Sequence, residues 1–333
     1  MEPLEKSEIR VSVVVPIRNE SKYIEKCIES IFNQDYPKNL LEIIFVDGNS
    51  EDKTVDIIKK YITEGCNIRL LNNPNKFIPY ALNIGIKSAV GKYIVRMDAH
   101  SQYANDYISK CIEYLEKTDA INVGGPVITA GKTVLQKVIA AAYHSDFALG
   151  GGKNHDKDYE GYADTVFLGT FKKQDIIDIG MYDERFIRNE DDDLTFRMIE
   201  RGFKIYSTPA IKSIYYPRST YSSLFKQYFE YGMWKVAIIK KHGRPARFSH
   251  LVPMAFVTFL AIFGIASFFF EKIFWMFIFV MGIYILLNLY FSFKNDKVTT
   301  IPDKLRLMLV HFILHISYGL GFWVGIFKFW NFK

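Results

Sequence analysis

Three long stretches near one end of the chain carry no Asp, Glu, Lys or Arg: residues 251–270, 273–293 and 307–327. Each reaches the ~20 apolar residues that a helix needs to cross a bilayer. Buried core helices are seldom so long or so uniformly apolar, so all three are expected to span. Aromatic residues, 16% of the chain, crowd toward the same end. A membrane part must therefore follow a part folded in water.

The water-folded part reads as alternating strands and helices. Val11-Ser12-Val13-Val14-Val15-Pro16 is a β-branched run closed by proline, and Leu41-Glu42-Ile43-Ile44-Phe45-Val46 is a second. A third strand is expected over 68–71 and a fourth over 93–97. Helices are expected from Ser21 as cap through about 32, over 52–63 and over 79–89. Strand and helix alternate four times, which implies a mostly parallel sheet with helices on both faces. Further on, the pattern gives a helix over 106–117, a strand over 120–123, a helix over 133–148 and a strand over 164–169.

Polar residues cluster after the strands: Arg18, Asn19 and Glu20; Asp47, Asn49 and Ser50; Asp98 and His100. One carboxylate after a strand is commonly a helix cap. Several at the same end of one sheet suggest a nucleotide site, since open α/β sheets collect ligands at the carboxyl ends of their strands. Neither G-x-G-x-x-G after the first strand nor G-x-x-x-x-G-K-[ST] occurs, which disfavours a dinucleotide dehydrogenase and a P-loop NTPase. Without a glycine-rich loop the phosphates need another charge partner. A divalent ion held by Asp98 and His100 would serve, and a carboxylate with an imidazole suits Mn-like ions.

A second acidic cluster, Glu190-Asp191-Asp192-Asp193, opens a helix. Its charge suits the helix dipole, but capping needs only one or two of the four. The surplus is the place to seek a general base aimed at an acceptor hydroxyl. Between the clusters, Gly150-Gly151-Gly152-Lys153-Asn154-His155 reads either as a plain linker or, favoured because strand character resumes after it, as a loop that orders over bound substrate. Cys27, Cys66 and Cys111 show no C-x-x-C spacing, so neither a disulfide framework nor a zinc site is expected and a reducing compartment fits. The first residues lack an apolar h-region, so no cleavable signal peptide is expected.

Five segments in order resemble the family 2 glycosyltransferases of GT-A fold: Val11 through Glu20, Val46 through Thr54, Asp98-Ala99-His100, Met181-Tyr182-Asp183-Glu184-Arg185-Phe186, and Glu190 through Leu194. The resemblance implies a GT-A-type, Rossmann-like, mostly parallel sheet and an inverting, metal-dependent hexosyltransferase that uses a UDP-sugar. By position, Pro16, Glu20 and Asp47 would line the nucleoside pocket. Asp98 would touch ribose and metal, Asp191 would be the catalytic base, and Glu190 would shape the acceptor side. Arg18, Asn49, Lys76 and Arg96 complete the expected donor-binding set. The family's metal motif is usually Asp-x-Asp; here it reads Asp98-Ala99-His100, with metal ligands Asp98 and His100 and a cation of Mn or Mg type. The likeness to exopolysaccharide glucosyltransferases of the succinoglycan type extends over nearly the whole chain. It implies one sugar, from UDP-glucose or a related hexose donor, added to a lipid-linked acceptor such as a polyprenyl-diphosphate glycan.

Residues 221–241 mix aromatics with lysines in the profile of a helix lying in the membrane interface. The expected organisation is a cytoplasmic catalytic domain (1–214), an interfacial segment (215–250) and a membrane domain (251–333) in the inner or plasma membrane. The net charge of +6 and the basic crowding at 235–247 point to an anionic membrane face and not to nucleic acid. The basic loop at 294–306 falls inside under the positive-inside rule. Gly151, Gly152, Arg218 and Gln227 are the acceptor-side candidates, Arg218 for lipid phosphates. His311 and His315, at i and i+4, share one helix face and are expected to hydrogen-bond within the bundle, with metal or a lipid diphosphate as alternatives. Two other functions compete: a processive polysaccharide synthase, although the Gln-x-x-Arg-Trp of such enzymes is missing, and a non-catalytic sugar-nucleotide-binding scaffold.

Overall fold

The computed structural model describes residues 9–150 and 156–332. They sort into two compact units. One comprises the described residues of Met1–Ile128 and Lys153–Tyr215, the other those of Thr129–Gly152 and Tyr216–Lys333.

In the first unit, β1 (Val11–Ile17), β2 (Leu41–Asp47), β3 (Ile68–Asn72) and β4 (Tyr93–Arg96) pair in parallel in the order β3-β2-β1-β4. Helices α1 (Ile24–Phe32), α2 (Thr54–Thr63) and α3 (Ile78–Ser88) join them. Alternate residues of one strand enter different cores: Val11, Val13 and Val15 pack with α1, while Val14 packs with α3. Both faces are covered, which is why these strands read as unbroken apolar runs and not as alternations. Val11, Val13, Val14 and Val15 are all fully buried, each worth about 1.5–3 kcal/mol of hydrophobic burial.

The chain continues through β5 (Ser101–Tyr103), α4 (Tyr107–Lys117), β6 (Asn122–Gly125) and β7 (Ile128–Thr129). After the second unit's first segment come β8 (Gly161–Tyr162) and β9 (Phe167–Lys172). β9 lies antiparallel between β4 and β6, so the sheet is parallel on one side and mixed on the other. The strand expected at 164–169 thus sits three residues later. Next, α5 (Val134–Tyr143) and α6 (Asp146–Leu149) belong to the second unit, while α7 (Lys173–Ile179) and α8 (Glu190–Glu200) return to the first. Strand β10 (Ile205–Ser207) pairs in parallel with β6, and β11 (Ser213–Tyr215) pairs with β5 in a small second sheet.

Helix α1 starts at Ile24 and not after Ser21: a turn comes first, in which the Tyr23 and Ile24 N–H groups both go to the Glu20 carbonyl at 2.8 and 2.9 Å, while the Ser21 N–H is given to Asp52 Oδ2 at 3.0 Å. The helix expected over 133–148 is two helices. Thr133 and Gln136 form a capping box at the start of α5, and the chain breaks at His144 and Ser145 before α6.

In the second unit, α9 (Tyr221–His242) is followed by a 3₁₀ turn and α10 (Val252–Ala266), α11 (Glu271–Lys294) and α12 (Ile301–Lys328). Three helical stretches, Phe248–Ala266, Glu271–Lys294 and Ile301–Lys328, are long and apolar enough to cross a membrane. Exposed Ile262, Ile265, Phe279 and Leu286 would be costly in water and cost nothing against lipid tails. Helix α12 is the buried one, and α9 lies against it with backbones in contact. A Cβ at Gly321 would come 2.0 Å from the Phe229 carbonyl, and one at Gly232 would come 2.0 Å from the Tyr318 carbonyl. Only glycine permits that approach.

The two histidines bond inside this unit. His315 Nε2 lies 2.8 Å from the Phe147 carbonyl, an acceptor only, so Nε2 carries the proton and Nδ1 accepts from the Tyr284 hydroxyl at 3.0 Å. His311 Nδ1 is 2.8 Å from Asn288 Oδ1, and Asn288 donates in turn to the Met308 carbonyl.

Candidate active site

The loops after β1 and β2 are zipped together. Glu20 N–H donates to Thr54 Oγ1 at 2.7 Å, Asn19 N–H to Ser50 Oγ at 2.9 Å, and Glu51 N–H to Asn19 Oδ1 at 2.8 Å. Ser50 in turn donates its hydroxyl and N–H to Asp47, whose residue is 7% exposed. Asn19, Asn49 and Lys76, one after each of the first three strands, adopt left-handed backbone at φ 57°, 56° and 67°. Asparagine tolerates this region; lysine does so at a cost that the surrounding structure must cover. Asp52 is part of the same zipper. Burial would raise its carboxyl, but hydrogen bonds from Thr54 and Ser21 hold it far below the ordinary aspartate range.

Asp98 follows β4 directly. The buried Tyr103 hydroxyl accepts from the Asp98 N–H at 2.6 Å and donates to the Asp98 carbonyl at 3.1 Å, fixing this turn through its own backbone. His100 Nδ1 lies 3.7 Å from Glu20 Oε1. Among the described residues no cluster of three His, Cys, Asp or Glu side chains is placed to hold a metal. Asp98 and His100 offer two donors, partly accessible at 18% and 41% of the side chain. That set fits a Mg- or Mn-type ion, which is held by one or two protein groups while phosphate oxygens and water complete its shell.

The second acidic cluster meets this turn through Arg96. Its guanidinium, 5% exposed, lies 3.3 Å from Asp98 through Nε, 2.5 Å from Asp191 through Nη1 and 3.6 Å from Glu190 through Nη2. The Tyr182 ring faces it, 6.0 Å from Cζ. Burial, with the Asp191 charge beside it, pushes the Glu190 carboxyl well above the usual carboxylate range against the pull of Arg96. Asp191 shifts upward too, from burial that Arg96 opposes. Its desolvation is only partial, since 49% of the side chain is accessible.

Three of the four acids therefore separate. Glu190 and Asp191 face Arg96. Asp193, with no exposure, pairs with Arg197 at 2.9 Å one turn later and is structural. Arg197 also donates to the Ile179 and Met181 carbonyls. The Met181–Phe186 stretch is docked by Asn83, which accepts from Tyr182 N–H and donates to its carbonyl and to Glu184.

Glu20, Asn49, Asp98 and His100 stand in loops that follow strands of this unit, Asp47 closes β2, and Glu190 and Asp191 lie in the first turn of α8. Pro16 is partly buried, and Arg18 and Lys76 are exposed. Arg218 is exposed and Gln227 is buried, donating to the Tyr231 hydroxyl at 3.0 Å; both belong to the second unit. Gly151 and Gly152 lie outside the described residues, as does most of the expected substrate-covering loop. Nothing in the sequence singles out Tyr103 or Asn83, and Tyr182 stands out only within the Met181–Phe186 segment. A buried tyrosine needs a partner for its hydroxyl, but sequence alone does not say which.

The mostly parallel sheet, with carboxylates at its strand ends, is the central sheet of a GT-A fold. The structure superposes on a mannosyltransferase of Pyrobaculum calidifontis, solved with GDP-mannose and Mn²⁺, at a TM-score of 0.63 and 16% identity, over 96% of this chain and 89% of that one. The family model for glycosyl transferase family 2 matches residues 12–175. A dolichyl N-acetyl-α-D-glucosaminyl phosphate 3-β-D-2,3-diacetamido-2,3-dideoxy-β-D-glucuronosyltransferase of Methanococcus voltae is 31% identical over 96% of this chain and 97% of its own. The succinoglycan biosynthesis protein ExoA of Rhizobium meliloti is 28% identical over 93% of each. The chain belongs to glycosyl transferase family 2, and it is a glycosyltransferase with three candidate membrane spans.

Proposed function

We propose that this enzyme transfers one hexose from a UDP-sugar, UDP-glucose or a close relative, to a lipid-linked acceptor in polysaccharide or glycoconjugate assembly, with inversion at the anomeric carbon. The observation that carries the reading is the meeting of Asp98 and Asp191 on one guanidinium. A donor-side carboxylate and a base candidate from a distant helix thus share a single site. The relatives' names support the acceptor class: one acts on a dolichyl-phosphate sugar and the other serves succinoglycan synthesis. Three apolar helices are consistent with a lipid-borne acceptor.

In this reading the Asp191 carboxylate takes the proton of the acceptor hydroxyl as that oxygen attacks the anomeric carbon. The bond to the diphosphate oxygen breaks on the opposite face, so a single displacement inverts the centre. Glu20, Asp47 and the zipped β1–β2 loops hold the nucleoside, with Pro16, Arg18, Asn49 and Lys76 around it. A Mn or Mg ion held by Asp98 and His100 would supply charge neutralisation for the departing diphosphate. Glu190, buried beside Arg96, shapes the acceptor side, and Arg218 and Gln227 are assigned to the lipid-linked substrate. The catalytic unit is assigned to the cytoplasmic face of the inner or plasma membrane, with the basic loop between α11 and α12 on the same side.

The test is purified full-length protein in nanodiscs with UDP-hexoses, Mn²⁺ and a polyprenyl-diphosphate-linked sugar. One added sugar with inverted configuration, lost in EDTA, is the expected product. A ladder of products would favour a processive synthase, and full transfer in chelator would remove the metal.

A further inference from the structure

Arg96 stands among the expected donor-binding residues, yet its surroundings suit another task. The side chain is 5% exposed, and its three nitrogens each lie near a different carboxylate. Its backbone is locked in the sheet, with β4 between β1 and β9 and Arg96 opposite Val14. One side of the guanidinium meets Tyr182, which is 3% exposed and is itself held by two hydrogen bonds to Asn83. A planar fork set so firmly can impose an orientation on whatever binds it.

What it binds most closely is Asp191 Oδ1, at 2.5 Å. Asp191 sits in the first turn of α8 with about half its side chain accessible. Left alone, such a carboxylate samples several rotamers. With Oδ1 pinned, Oδ2 has no hydrogen-bond partner among the described residues. One oxygen is anchored and the other is left for a proton. Through Nε the same guanidinium reaches Asp98 at 3.3 Å, so base and donor-side carboxylate share one rigid support.

We propose that Arg96 is a positioning residue for transfer: it anchors Asp191 by Oδ1, leaves Oδ2 to take the acceptor proton, and fixes the distance between that base and Asp98. The proposal rests on the reading of Asp191 as the base. It sets Arg96 apart from a phosphate ligand, whose loss would be felt in donor binding. Misplacing a reacting group by about 1 Å costs on the order of 10²-fold, so the loss should fall on turnover.

The experiment compares full-length Arg96→Lys, Arg96→Gln, Asp191→Asn and the Arg96→Gln/Asp191→Asn pair in nanodiscs, measuring kcat, acceptor KM and UDP affinity with Mn²⁺. Arg96→Gln is expected to lower kcat about 100-fold while UDP affinity stays within about threefold of wild type, a margin below 1 kcal/mol. Arg96→Lys keeps the charge without the fork and should recover only part of kcat. The pair should be no slower than Asp191→Asn alone, because Arg96 acts through Asp191. Should Arg96→Gln fail to fold, Glu190→Gln added to it removes one of the carboxylates left without a counterion, and kcat and UDP affinity are then compared with those of Glu190→Gln alone. A weakened UDP affinity with kcat retained would make Arg96 a donor ligand and overturn the proposal, and so would independent, multiplying losses in the pair. Wild-type turnover by Asp191→Asn would instead overturn the base reading, and this proposal with it.

Discussion

The Tyr103 hydroxyl accepts from the Asp98 N–H and donates to the Asp98 carbonyl, so one phenol holds both backbone groups of Asp98, the residue proposed to bind metal and donor. Tyr103→Phe leaves the Asp98 N–H without its acceptor, while the Asp98 carbonyl keeps the bond from the Ser101 N–H. The expected result is a loss of about 1 kcal/mol in stability and about tenfold in Mn²⁺-dependent UDP affinity, the lower range for losing a group that orients a metal ligand. Thermal unfolding and calorimetric titration measure the two; unchanged UDP affinity would mean that the turn holds without the phenol.

Asp193 is fully buried against Arg197, which ties the start of α8 to the Ile179 and Met181 carbonyls. Removing one member strands the other as an unpaired buried charge. Asp193→Ala is therefore expected to cost about 3 kcal/mol and to reduce the yield of folded protein, as read by thermal unfolding.

Asp52 closes the β1–β2 zipper through Thr54 and Ser21. Its folded carboxyl titrates below the ordinary value of 3.8, so its stabilisation is present in full above that value and fades as pH falls through the folded one. Asp52→Asn should thus cost about 1 kcal/mol at pH 7, with the gap from wild type constant down to about pH 5 and closing in stronger acid. A gap that instead narrows between pH 8 and pH 6 would assign the effect to another group.

Gly321 and Gly232 let the backbones of α9 and α12 touch. Gly321→Leu has no rotamer that avoids the Phe229 carbonyl. It should release α9, seen as much faster trypsin cleavage at Lys235, which is buried in the wild type. Equal protection in both proteins would contradict the packing.

The strands were legible because burial on two faces writes an unbroken apolar run, and the candidate spans because crossing a bilayer takes about 20 apolar residues. Asp98 and Asp191 could be picked out as candidates, since each stands at the end or start of an element where polar groups are in surplus. Their link through Arg96 could not: the Arg96–Asp191 contact joins residues 95 positions apart and leaves no periodic trace. Likewise, helical periodicity locates α5 without revealing that it packs with α12 in the second unit. The start of α1 was misplaced because the turn on the Glu20 carbonyl that precedes Ile24 leaves no mark in the apolar pattern.

The central claim is that Asp191 removes the acceptor proton in a site built around Asp98. Its most direct test is Asp191→Asn, assayed side by side for sugar transfer and for UDP binding with Mn²⁺. Transfer should fall by about 10³-fold, within the usual range for losing a general base, while UDP affinity stays near wild type. Transfer at close to the wild-type rate would contradict the assignment.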